Sequence, residues 1–66
     1  MAKTVFDVLN DKIQEHMVLA REFLESGGPK DFAEYRDVCG AIRGLSIALR
    51  EVADLAKNYQ YEEDND

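Results

Sequence analysis

Tyr35, Val38, Ile42, Leu45, Leu49, Val52, Ala56 and Tyr59 follow one another at alternating spacings of three and four residues. Such a run, with both seam positions of each heptad apolar, forms one continuous stripe only on a long helix. A single helix cannot bury its own stripe. The second half of the chain therefore requires a cover, and the first half supplies a candidate for it.

Size makes that requirement sharper. With 66 residues, the chain is one domain at most, and a chain this short buries only about 60% of its unfolded surface. One cysteine and one histidine allow neither a disulfide framework nor a four-ligand zinc site. The remaining reinforcement is self-association or docking on another protein. No apolar run reaches the length of a bilayer span, and the start MAKTVFDVLND has no apolar leader core, so the expectation is a cytoplasmic fold with no membrane partner. A net charge of -6 argues against direct nucleic-acid binding, which needs clustered Lys and Arg to neutralise phosphates.

The first helix is predicted over about 5–26. Thr4 and Asp7 stand as Thr-x-x-acid, placing an N-cap acceptor and a carboxylate at the positive end of the helix dipole. Phe6, Leu9, Ile13, Ala20 and Phe23 make its stripe, widened by Val5, Met17, Leu19 and Leu24, with His16 filling the gap in the seam. Ser26-Gly27-Gly28-Pro29 should end it, through a left-handed glycine cap and a proline. The second helix is predicted over about 32–60, opened by Asp31 and Glu34 as a capping box. At 1.5 Å per residue the helices measure about 33 and about 42 Å, so the second outreaches the first by a turn or two. A short connection makes them antiparallel neighbours. The expected architecture is an all-α, antiparallel two-helix hairpin over 1–61, followed by a disordered acidic tail over 62–66.

Two glycines inside the second helix, Gly40 and Gly44, cost about 1 kcal/mol each relative to alanine. Their spacing of four puts them on one face, with Ile47 and Ala48 continuing the row, where a second backbone could approach closely. The alternative is that they make room for bulky Phe or Met side chains inside the hairpin. Arg36, Arg43, Arg50 and Lys57 recur every seven residues as a cationic ridge. Arg50 and Lys57 can pair with Asp54, whereas Arg36 and Arg43 must look to Asp11, Glu15 or Glu22 of the first helix, or to another protein, or remain solvated. Tyr59 and Tyr61 fall on the overhang, where they could anchor a partner. The candidate partner-binding residues are thus Arg36, Gly40, Arg43, Gly44, Ile47, Tyr59 and Tyr61. His16 reads first as a buried neutral imidazole and second as a partly exposed residue at a hairpin edge, and Cys39 as a small buried hydrophobe, since neither has co-ligands or a base and oxyanion site nearby in a hairpin. No catalytic residue, cofactor or metal site is expected.

The segment Glu34-Tyr35-Arg36-Asp37-Val38-Cys39-Gly40-Ala41-Ile42-Arg43-Gly44-Leu45, preceded by Thr4-Val5-Phe6-Asp7-Val8-Leu9, resembles a family of very short proteins of tailed bacteriophages encoded among head and portal genes. The resemblance covers nearly the whole chain: capped helix, Gly-rich break, Tyr-Arg-x-x-Cys-Gly-x-Ile-Arg-Gly-Leu helix and acidic tail. It implies a virion or assembly component on the capsid, portal or connector, present in the host cytoplasm before assembly. Two function classes follow. One is a non-enzymatic structural protein, self-associating or docked on a head, portal or connector protein. The other is a small acidic regulator that binds and inhibits a host or phage nucleic-acid enzyme, as a DNA mimic does. An enzyme comes third.

Overall fold

A computed structural model of the chain describes residues 3–64, with side chains as far as Tyr59. Two helices, α1 (Val5–Glu25) and α2 (Phe32–Asp64), pack against each other as the antiparallel hairpin that the heptads require. Their 21 and 33 residues correspond to about 32 and about 50 Å. The α2 backbone stays helical to Asp64, beyond the end expected near residue 60. The expected disorder of the acidic tail falls on residues whose side chains, and at 65–66 whose backbone, lie outside the described ones.

The helix ends are built by local hydrogen bonds. Thr4 Oγ1 accepts from the Asp7 amide at 3.2 Å while the Thr4 amide donates to Asp7 Oδ2 at 3.0 Å, so the α1 capping box closes in both directions. At the other end the Gly28 amide donates to the Phe23 carbonyl (2.9 Å) and the Gly27 amide to the Leu24 carbonyl (3.1 Å). This is a Schellman closure, and it needs the left-handed Gly27, whose φ is 77°. At α2, Asp31 Oδ1 accepts from the Glu34 amide at 2.8 Å. The return half of the predicted α2 capping box is absent, because the Glu34 carboxylate is turned to Lys30 Nζ, 3.9 Å away.

Across the seam, α2 presents the predicted row: Val38, Ile42, Leu45, Leu49, Val52 and Ala56 are half-buried. The α1 side is turned by about one residue from expectation. Phe6, Asn10, Ile13, Met17, Ala20 and Leu24 face α2, while Leu9, His16 and Phe23 are exposed. His16 is therefore not the buried seam imidazole of the first reading but an exposed residue at the hairpin edge, as in the second. Met17 occupies that level and is the one buried residue among those described, at 6% exposure. The reason lies in the α1 composition and the turn. Apolar side chains cover more than half of the α1 circumference, leaving two flanks nearly equal in hydrophobicity. The turn then decides between them, because the Phe23 ring packs where a Cβ on Gly28 would stand and Leu24 is carried into the seam. Asn10 keeps its polar end satisfied there by accepting from Gln14 Nε2 at 3.3 Å.

The Phe6 and Tyr59 rings meet with centroids 5.7 Å apart, which fixes the register of the two helices. Tyr59 closes the open end of the seam and does not lie on the overhang as predicted. The helix backbone beyond it, over 60–64, projects past α1.

Candidate interaction surfaces

Heptad rows divide the hairpin surface into distinct strips. On one long edge, Arg36, Arg43, Arg50 and Lys57 of α2 form the predicted ridge, and Arg21 of α1 joins it. A groove of about 450 Å³ between the helices is lined by Arg21, Arg43 and Arg50 together with Met17, Cys39 and Ser46. Five of the eight cations thus share one side of an acidic molecule. Among the described residues, the ion pairs are Lys3–Asp11 at 2.6 Å and Lys30–Glu34, so none of the ridge cations pairs with Asp54, Asp11, Glu15 or Glu22 as considered above. Asp11 is engaged by Lys3, whose ammonium is held above its usual pKa chiefly by that hydrogen bond. Arg36 instead lies over the exposed Phe32 ring at 6.0 Å, a cation–π contact.

On the outward face of α2, Gly40 and Gly44 each have open space where a Cβ would stand. They do not make room for Phe or Met inside the hairpin, and of the two readings only the outward-facing one agrees with the geometry. Ile47 is half-exposed beside them. Arg36, Gly40, Arg43 and Ile47 therefore share one outward strip beside the cationic grooves, Gly44 turns toward the opposite edge, and Tyr59 stands apart at the end of the seam. The Tyr61 side chain lies outside the described ones.

The opposite edge was not anticipated. Because Arg21 and the α2 ridge flank the seam on one side, the other flanks of the two antiparallel helices meet on the other side. There α1 presents Leu9, His16 and Phe23, with Val5, Lys12 and Leu19 a row farther out. From α2 come Ala41, Ala48 and Leu55, with Asp37, Gly44 and Glu51 a row farther out. Leu19 is 63% and Leu55 58% exposed. Each row repeats every seven residues, a signal present in the sequence but overshadowed by the stronger a/d stripe.

Cys39 is half-buried, and its neighbour one turn back, Tyr35, has its hydroxyl pushed above the usual phenol pKa, by hydrogen bonding and then by charge repulsion from the Cys39 side chain. His16 lies on the opposite edge. No cluster of three or more His, Cys, Asp or Glu suited to a metal ion occurs among the described residues, and no described helix is long and apolar enough to cross a membrane. Comparison with protein families, with curated proteins and with solved structures finds no match to this chain.

Proposed function

We propose that this chain is a non-catalytic assembly protein, a helical hairpin whose core is completed by another polypeptide. The observation that carries this reading is its surface. The chain exposes 5533 Å² at 7.5 kDa, where a compact monomer of that mass exposes about 4,250 Å². The excess of about 1,300 Å² is larger than the roughly 800 Å² that each partner contributes to a standard stable interface. With Met17 the one buried residue among those described, the hydrophobic effect gains too little inside one hairpin to offset the ordering of two helices.

The resemblance of the Tyr35–Leu45 string to short tailed-phage proteins supports a structural place in a virion, on a head, portal or connector protein. The outward strip of Arg36, Gly40, Arg43 and Ile47 suits docking there, because close backbone approach at Gly40 and unpaired guanidinium groups favour a flat, acidic partner surface. Mass spectrometry of purified particles tests the assignment. A stoichiometric copy number supports it; presence in infected cells but absence from particles supports the acidic-regulator reading. Arg43→Glu tests the docking strip: incorporation should fall, and unchanged incorporation would reduce the ridge to solvated charge.

A further inference from the structure

The apolar edge is self-complementary, and this follows from residue levels along the hairpin. The Phe6–Tyr59 contact sets the register. Running it along both helices brings five pairs to the same level within about half a turn: Leu9 with Leu55, Lys12 with Glu51, His16 with Ala48, Leu19 with Gly44, and Phe23 with Ala41. In each pair both members flank the seam on the same edge, and the two belong to corresponding rows, inner with inner or outer with outer. A rotation by half a turn about an axis along the hairpin, lying just beyond this edge, would place α1 of one copy directly over α2 of the other at those same levels. His16, Leu19 and Phe23 would then stand over the small Ala48, Gly44 and Ala41, Leu9 against Leu55, and Lys12 beside Glu51 at the rim.

We propose that a second copy of this chain covers the apolar edge in that arrangement, each α1 packing antiparallel on the partner's α2, to close a four-helix bundle. The proposal rests on the reading of the hairpin as an association module and names its partner. Three observations favour a second copy. The exposed excess is more than the roughly 800 Å² that each member of a standard dimer interface buries. The edge carries both the projections (Leu9, Leu19, Phe23) and the hollows (Ala41, Gly44, Ala48) of a knobs-into-holes contact, so it needs no foreign surface to be filled. Its rim charges, Lys12 and Glu51, are opposite in sign at one level, and two-fold symmetry uses that pair twice. The open space at Gly44 acquires a purpose, since Leu19 of the other copy would occupy it.

Sedimentation equilibrium of the full chain, with circular dichroism at the same concentrations, tests this. The expected result is a dimer of about twice the 7.5 kDa chain mass, with helicity that falls on dilution. Gly44→Leu should dissociate it at least tenfold more readily, although leucine favours helix over glycine and does not clash within one hairpin. Lys12→Glu and Glu51→Lys should each weaken the dimer about fivefold or more, and the combined exchange should restore it, which a change in hairpin folding alone would not do. A dimer indifferent to Gly44→Leu and to both charge reversals overturns the proposed face. A weakly helical monomer at every concentration overturns the second copy as partner while leaving intact the reading that another polypeptide completes the hairpin. A cooperative, fully helical monomer overturns both.

Discussion

Replacing Gly40 by alanine should stabilise this protein, an uncommon direction for a substitution of glycine in the middle of a helix that carries a small-residue motif. Gly40 lies well inside α2, with about two turns of helix before it and six after, so the full interior propensity difference applies. That difference is about 0.5–1 kcal/mol in favour of alanine, arising from the backbone freedom glycine gives up on folding. The gain is realised only if the added methyl meets nothing, and within the hairpin a Cβ at Gly40 has open space around it. For a domain of this size each 1 kcal/mol corresponds to about 4–8 °C in Tm, so the expected rise is about 2–8 °C. Thermal melts followed by far-ultraviolet circular dichroism at one fixed chain concentration provide the measurement, because any association also raises Tm by mass action. Gly40 faces outward and away from the apolar edge, so the shift should be the same at high and low concentration. A lowered Tm would refute the reasoning. It would mean that the backbone at Gly40 is in close contact with another surface in the folded protein, and that its cost in helix stability is repaid there.

Gly28→Ala should behave oppositely: its Cβ would drive into the Phe23 ring, and overpacking of this kind costs about 1–3 kcal/mol, read as a lower urea midpoint with an unchanged slope. Asp31→Ala removes the acceptor of the Glu34 amide and should cost about 0.5–2 kcal/mol; Asp31→Asn should recover most of it, since asparagine caps as well as aspartate. Met17→Ala should cost about 2–5 kcal/mol and leave a chain with little helical signal at low micromolar concentration, because no other described residue is buried to replace it. Retention of a cooperative melt in that variant would show that the seam does not depend on its centre.

The two helices differ in how readily the sequence discloses them. The α2 stripe is narrow, with Arg36, Arg43 and Arg50 on one flank and Asp37, Gly44 and Glu51 on the other, so only one face can turn inward, and Val38 through Ala56 do so. On α1 the choice between Leu9-His16-Phe23 and Asn10-Met17-Leu24 runs against simple hydrophobicity at Asn10. It is decided by how Gly27 and Gly28 direct the chain, a tertiary matter that no period count contains. The Thr4 cap and the glycine closure are local chemistry and were legible. The partners of Arg36 and Arg43 were not, because exposed cations choose among many neighbours of nearly equal energy. The outward position of Gly40 and Gly44 was legible as one of two alternatives, and only the packed hairpin separates them.

The Cα trace measures 54 × 21 × 11 Å, a slab one helix thick. No peptide group in such a slab lies deeper than a single side chain from solvent, so the α-helical ladder is its only shield against isotope exchange from bulk water. Slow amide protons, if any are found, would then be imposed from outside the chain. Their positions along α1 and α2 would trace the outline of whatever rests on the slab.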